Sequence, residues 1–186
     1  MGRQREFDPE DAIAQAVNVF WERGYTEASV QDLCKSMDIN PGSLYATFGA
    51  KQDVFRAAIK HYLSVVTHEG IGRLGSADSG LEGVKAYFDY IVEGILTGKR
   101  CNGCFGTNSF MEVSETDPEI KALMTEHFRL LENAFDQALQ RDGFSETQGK
   151  ASFLGCVAQG LNVLARTEPE RATLERIVSN ALLVLK

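Results

Sequence analysis

The sequence predicts an all-α protein of about nine helices. No segment of useful length alternates apolar and polar residues as a strand would, whereas apolar residues recur at helical spacing along most of the chain. Three predicted helix starts share one signature, an N-cap residue followed by proline, at Asp8-Pro9, Asn40-Pro41 and Asp117-Pro118. With 186 residues, 44% of them apolar, the chain can bury a single core or form two small domains that share one.

The first predicted helix carries an apolar stripe, and Gly24 is expected to end it in a left-handed conformation. Residues 29–48 then predict two short helices joined by a tight turn. Ser29 is a suitable N-cap for the first helix, and Asn40 for the second. This arrangement is typical of a helix-turn-helix, although any helical hairpin in an all-α protein could show the same pattern.

The run from Phe7 through Phe55 resembles the N-terminal domain of the tetracycline-repressor (TetR) family of bacterial transcription regulators. The residues that carry the resemblance are Ala16, Phe20, Gly24-Tyr25, Ser29-Val30, Leu33, Ile39, Gly42-Ser43-Leu44-Tyr45, Phe48, Lys51 and Phe55. The resemblance implies a DNA-binding domain over residues 1–55 and a helical effector-binding and dimerisation domain over residues 56–186. It also implies a dimer that reads both halves of a palindromic operator, with the fourth helix linking effector site to DNA.

The candidate contacts to double-stranded operator DNA are mostly small or polar residues at the exposed side of the two short helices. They are Ser29, Gln31, Asn40, Gly42, Ser43, Tyr45, Thr47 and Lys51. Gly42 permits close approach of the backbone, and the hydroxyls of Ser43 and Thr47 can bond to bases or phosphates. The resemblance implies a phosphate contact for Tyr45, with partial core packing as the alternative. Because the second short helix has no arginine, we expect readout by hydroxyl groups, apolar contacts and DNA shape.

The charge balance is unusual for a DNA-binding protein. The net charge is −7, and residues 1–60 hold 7 Lys/Arg against 9 Asp/Glu. DNA binding must therefore depend on local positive groups and on two-site binding by a dimer, rather than on a broad basic surface. Arg3 and Arg5 lie in a short polar arm, which is either a disordered end or a contact to phosphates or the minor groove.

The second domain is predicted to be helical throughout, with one flexible connection. The Gly- and Ser-rich stretch from Glu69 to Gly80 predicts a loop. A short helix is expected from about Thr107 to Val113, and Ser145 with Gln148 has the spacing of a capping box. The two apolar terminal helices, within residues 145–186, are predicted to form the homodimer seam, as the family resemblance implies. An internal hairpin is the alternative.

The resemblance implies an inducer site among the helices of the second domain. Its candidate lining residues are aromatic or contain sulfur, and they are Tyr87, Phe88, Phe105, Phe110, Met111, Met124 and Phe128. Taken alone, each of these residues is more simply explained as ordinary core. The inducer would be a small molecule, or an electrophile or oxidant.

Cys101 and Cys104 form the one chemically reactive pair outside the DNA-binding domain. A zinc site would need two more ligands, and no second cysteine pair or paired histidines follow. A thioredoxin-like motif would need a preceding strand. A thiol sensor is favoured by the neighbouring Lys99 and Arg100 and by the helix expected to follow, while a structural turn is the simplest alternative. Some TetR-family members with a similar Gly-Cys segment respond to electrophiles, oxidants or metals. Cys34 and Cys156 are predicted to be buried packing.

These observations predict a dimeric, ligand- or redox-responsive transcriptional regulator, expected to be a repressor. The alternatives are a helical thiol oxidoreductase that uses Cys101 and Cys104, and a protein-interaction module. We expect no enzyme activity, no cofactor and no metal. We expect a cytoplasmic protein without a membrane partner, because no stretch approaches the roughly 18 apolar residues of a membrane helix and the N-terminus lacks a signal-peptide core.

Overall fold

The computed structural model of the chain describes residues 7–185, so the predicted arm with Arg3 and Arg5 lies outside the described residues. The α-helices are α1 Pro9–Glu27, α2 Val30–Ser36, α3 Pro41–Phe48, α4 Lys51–Val66, α5 Gly72–Ser76, α6 Gly80–Leu96, α7 Phe105–Val113, α8 Pro118–Arg141, α9 Thr147–Leu164 and α10 Arg171–Ala181. A π-helical turn occupies Thr67–Ile71, and 3-10 turns occupy Ala165–Thr167 and Leu182–Leu185. Residues 7–185 contain no strand, which confirms the all-α prediction.

The prediction of a loop between Glu69 and Gly80 is wrong. Helix α4, the π-helical turn and α5 follow one another without a break, so the backbone stays helical to Ser76 and the described residues form nine helical units. Tertiary packing overrides the glycines here, because Leu74 is 1% exposed and packs in the core beside α6. The side chain of Arg141 also donates to the carbonyl oxygens of Leu74 and Gly75, which satisfies the end of α5.

The predicted helix starts are confirmed where proline follows the cap. The side chains of Asp8, Asn40 and Asp117 accept hydrogen bonds from the first turns of α1, α3 and α8. Ser29 caps α2 in the same way and forms a capping box with Asp32. The capping box predicted at Ser145 is wrong, because the chain enters α9 through residue 146, which has a left-handed φ of 52° and no side-chain cap.

Two apolar clusters form the interior, and the first of them crosses the expected domain boundary at residue 55. It contains the buried faces of α1, α2, α3 and α4 together with Cys104, Phe105 and Met124 from the second domain. The second cluster joins α6, α8, α9 and α10 around Phe88 and Phe135. Helices α1 to α4 therefore share a continuous core with α7 and the start of α8.

No helix within residues 7–185 is long and apolar enough to cross a membrane.

Two glycine substitutions test the helical assignment of residues 72–76. A Cβ at Gly75 meets no atom within 4 Å, so Gly75→Ala is expected to raise the free energy of unfolding by about 0.5–1 kcal/mol, the helix preference of alanine over glycine. A Cβ at Gly80 would fall on the carbonyl oxygen of Ala138, so Gly80→Ala should destabilise the fold. Urea unfolding measures both changes, and a destabilising Gly75→Ala would contradict the helix.

Candidate nucleic-acid interface and effector site

Helix α3 lies on an apolar base and presents its other side to solvent. Leu33 of α2 and Leu44 of α3 have no exposed surface, and the turn between the helices passes through Asp38, whose φ is 52°. Such a left-handed residue reverses the chain within four positions. On the outer side, Gln31 and Gly42 are exposed and Tyr45 retains 54% of its surface.

The side chains of Asn40 and Ser29, two of the remaining DNA-contact candidates, form hydrogen bonds within the protein. The Asn40 amide oxygen accepts from the N–H of Ser43 at 2.9 Å, and the Ser29 hydroxyl is bound within the capping box with Asp32. Ser43 and Thr47 are partly exposed on α3. Asn40 and Ser29 therefore set where α3 and α2 begin, while the outer side of α3 remains available to a groove.

The Lys51 side chain contacts the end of α1. Its ammonium group lies 4.6 Å from the centre of the Tyr25 ring and donates to the carbonyl oxygen of Thr26 at 3.3 Å. The side chain is also only partly exposed. Lys51 thus stabilises the corner between α1 and α4, and any phosphate contact would be made from that position.

Two carboxylates, Glu112 and Asp117, connect the second domain to α1 and α4 through contacts that the sequence analysis did not identify. Glu112 of α7 accepts hydrogen bonds from the backbone N–H groups of Tyr25 and Thr26, both at 2.9 Å. Asp117, the N-cap of α8, is 3% exposed and accepts from Arg56 and Gln52 of α4, both at 2.9 Å. The partners are 61 to 87 residues apart, so no local sequence pattern indicates them.

The Arg56–Asp117 pair is held as an ion pair. Burial opposes ionisation of Asp117, but the hydrogen bonds from Arg56 and Gln52 dominate and keep the pKa of this carboxyl below its ordinary value. Glu119 extends the pair, because one of its oxygens lies 3.4 Å from Arg56 and the other 2.7 Å from Lys60. The start of α8 is therefore attached to one face of α4.

The residues predicted to line the inducer site are divided between two apolar clusters and the surface. Phe105 and Met124 are buried in the cluster shared with the DNA-binding helices, and Phe110 packs edge-on against Phe128. Tyr87 and Phe88 belong to the other cluster. Met111 is 77% exposed and, with Phe105, borders a cavity of about 400 Å3 between α1 and α7.

The two cysteines of the predicted reactive pair lie in different environments. Cys101 is exposed, whereas Cys104 is 6% exposed and is the N-cap of α7. The Cys104 sulfur accepts from the N–H of Thr107 and from the hydroxyl of Tyr62, both at 3.5 Å. Burial raises the pKa of Tyr62 well above its ordinary value, so this hydroxyl keeps its proton and remains a donor. Neither cysteine is in a disulfide.

A buried cation lies beside Cys104. Arg100 is 8% exposed, its guanidinium group stacks 4.8 Å from the centre of the Tyr90 ring, and one of its nitrogens donates to Asn162 at 3.4 Å. Burial opposes the charged form of Arg100, but the neighbouring Tyr62, Tyr90 and Cys104 keep the pKa of this guanidinium above its ordinary value. No group of three or more His, Cys, Asp or Glu side chains in the described chain is placed to hold a metal ion.

Cys156 was predicted to be buried, and this is wrong, since its thiol is exposed on α9. It belongs to an exposed stripe that repeats at intervals of four and three residues. The stripe consists of Gly149, Phe153, Cys156, Gly160 and Val163. Phe153 and Val163 retain 46% and 61% of their surfaces. The apolar face of α9 led to the prediction that Cys156 is buried. The other described residues leave this face uncovered.

A three-helix head that presents a short exposed helix, joined to a helical second domain, defines a DNA-binding regulator of the helix-turn-helix class. Residues 12–58 match the family described as "Bacterial regulatory proteins, tetR family", and residues 80–180 match "Transcriptional regulator LmrA/YxaF-like, C-terminal domain". The chain belongs to the TetR family and is a DNA-binding transcriptional regulator.

Known proteins resemble the chain along nearly all of its length. The uncharacterised regulator YezE of Bacillus subtilis is 33% identical over 87% of this chain and 84% of its own. The repressor ComR of Escherichia coli is 28% identical over 97% and 88%. The TetR-family regulator CifR, solved as a cysteine variant with 26-base-pair operator DNA, is 30% identical over 97% and 98%, with a TM-score of 0.83.

The exposed hydroxyl of Tyr45 provides a direct test of the DNA-binding face. Tyr45→Phe removes only the hydroxyl, and it is expected to weaken binding of a selected operator duplex about tenfold, the effect of losing one hydrogen bond to a charged group. The thermal unfolding midpoint should stay unchanged, because the Tyr45 side chain is 54% exposed and its ring is kept. Fluorescence anisotropy with labelled duplex measures the affinity, and an affinity within twofold of the wild type would exclude a phosphate contact at Tyr45.

Proposed function

We propose that the protein is a homodimeric repressor that binds a palindromic operator and releases it when an inducer acts on the second domain. The observation that carries this proposal is the exposed outer side of α3, held on a fully buried Leu44 in a chain of the TetR family. CifR, a relative of the same length and fold, was solved with double-strand operator DNA. The protein would act as a binding protein rather than an enzyme, and it would work in the cytoplasm beside its operator.

Selection of bound duplexes from a random library tests this function. The proposal predicts enrichment of a palindrome whose half-sites are separated by one helical turn or a multiple of it. Since the chain carries a net charge of −7, non-specific duplexes should bind weakly even at low salt. Enrichment of no sequence at any salt concentration would contradict the proposal and favour a protein-interaction module.

The exposed stripe on α9 supports the homodimer. The stripe contains two glycines, Gly149 and Gly160. A Cβ at either position would meet no atom within 4 Å, so there is room for a second helix to approach closely. The neighbouring cleft between α8 and α9 has a volume of about 410 Å3, and Phe128 and Leu131 line its apolar wall. At the end of α10, Leu183 is 53% exposed. These surfaces lie within or beside residues 145–186, where we propose that two copies form a four-helix seam.

A charge in the centre of the stripe should separate the two copies. Phe153→Glu is expected to give a monomer in sedimentation velocity and to weaken palindrome binding about 100-fold, because the second half-site no longer binds intramolecularly. Gln137→Glu adds the same charge to an exposed position of α8 and serves as the control. If Phe153→Glu remains a dimer at the wild-type concentration, the seam lies elsewhere.

The surroundings of Cys104 support a response to electrophiles. In such a response the sulfur would add to an electron-poor alkene, so that a carbon–sulfur bond forms, the π bond breaks and the thiol proton passes to the adjacent carbon. The adduct cannot be accommodated where Cys104 is 6% exposed and bonded to Tyr62. Modification would therefore favour a second conformation, in which operator affinity is lower.

N-ethylmaleimide is a suitable probe for this response. It is expected to lower operator affinity of the chain, to leave Cys104→Ser unaffected, and to act normally on Cys101→Ser. All variants should carry Cys156→Ser, because the exposed Cys156 lies in the proposed seam. A response lost in Cys101→Ser and kept in Cys104→Ser would assign sensing to Cys101. If no variant responds, the inducer is a non-covalent ligand.

A further inference from the structure

The end of α1 binds both oxygens of one carboxylate group. Gly24 has a φ of +77°, which interrupts the helix and leaves the N–H groups of Tyr25 and Thr26 pointing out of the helical ladder. Both N–H groups donate to the Glu112 carboxylate at 2.9 Å. A Cβ at Gly24 would lie 2.8 Å from the same carboxylate, so glycine is required for this approach.

The electrostatics of this contact favour an ionised Glu112. Partial burial opposes ionisation, but the two backbone N–H groups and the nearby ammonium of Lys51 lower the pKa of the Glu112 carboxyl below its ordinary value. Lys51 also contacts Tyr25 and Thr26 at the corner between α1 and α4. One carboxylate from the second domain thus accepts from two backbone donors of the DNA-binding head directly after the interruption at Gly24.

Helix α7 connects this contact to Cys104. The helix is nine residues long, with Cys104 as its N-cap and Glu112 near its end. At its first position, Phe105 is 1% exposed among residues of the DNA-binding head and α4. A change that moves Cys104 away from Tyr62 must shift α7 as a unit, because its backbone hydrogen bonds make it stiff over this length.

The contact of Glu112 is easier to open than that of Asp117. Glu112 is exposed and borders the cavity of about 400 Å3 between α1 and α7, so water can replace the protein at both ends of its hydrogen bonds. In the Arg56–Asp117 pair the Asp117 side chain is 4% exposed and that of Arg56 is 26% exposed, so breaking the pair would leave a buried carboxylate. Movement between the domains is therefore expected to begin at α7 and to pivot about the start of α8.

We infer that Glu112 positions the DNA-binding head for its operator and that its release from Tyr25 and Thr26 is the step that lowers operator affinity. This inference rests on the proposed function. The chain matches CifR, which was solved with operator DNA, at a TM-score of 0.83. Opening the contact frees α1 and the adjoining helices to rotate, and the two heads of a dimer then no longer match one operator.

The substitution Glu112→Gln tests the inference with little change in size. An amide offers one acceptor where the carboxylate offers two, so one N–H loses its partner and the charge is lost. We expect operator affinity to fall about tenfold, within the usual range of coupling between sites. Glu115→Gln is the matched control, because Glu115 is 90% exposed and its oxygen is 3.9 Å from Lys121 rather than bonded to the head.

A second readout separates positioning from general stability. With Cys156→Ser in both chains, N-ethylmaleimide should weaken operator binding of the Glu112→Gln variant by a smaller factor than that of the chain with Glu112, because the contact that the reagent opens is already broken. A purely structural role would lower both affinities and leave that factor unchanged, which would overturn the inference. An affinity of Glu112→Gln within twofold of the wild type would overturn it as well.

Amide hydrogen exchange in a chain that carries only Cys156→Ser, so that N-ethylmaleimide cannot modify the proposed seam, keeps the test independent of any substitution at Glu112. The N–H groups of Tyr25 and Thr26 should exchange more slowly with operator bound and faster after treatment with N-ethylmaleimide. Equal exchange in all three states would overturn the inference while leaving the repressor intact. A wild-type chain that selects no palindrome would overturn the inference together with the proposed function.

Discussion

The packing of Phe105 against the DNA-binding head is the contact on which the rest of the structure depends. Its ring meets Phe55 and Tyr62 of α4 at centroid distances of 6.0 and 5.5 Å, both edge-on, although it belongs to the second domain. Because a close-packed core cannot deform gradually, the head, α4 and α7 are expected to change position between discrete arrangements. A small change beside Phe105 can in this way be transmitted to the helix that meets DNA.

The polar contacts around this core differ in what they do. Asp117 is buried with Arg56 and attaches α8 to α4, so it maintains the arrangement of the second domain on the head. Glu112 reaches the backbone of α1 from an exposed position and can exchange its partners for water. Since the acidic chain has little general attraction for DNA, the relative placement of the two small heads in the proposed dimer would matter more than charge, and we propose that Glu112 acts on that placement.

The parts of the fold that the sequence predicts well are those set by neighbours along the chain. Ser29, Asn40 and Asp117 were identifiable as caps because capping depends on residues two or three positions away. The helix through Leu74 was missed because its stability comes from burial against α6, which local glycine content does not report. The contact of Glu112 joins residues 86 and 87 positions apart, and the exposure of Cys156 depends on which face remains uncovered.

The most direct test of the coupling is the rate at which Cys104 reacts with N-ethylmaleimide, with and without operator, in a chain carrying Cys101→Ser and Cys156→Ser. Because Cys104 is 6% exposed, it must react through an opened conformation. It is also far from α3 in sequence. If operator binding favours the closed arrangement, specific duplex should slow the reaction by about tenfold, while a scrambled duplex should not. The same rate with either duplex would show that Cys104 and the DNA-binding head are not coupled.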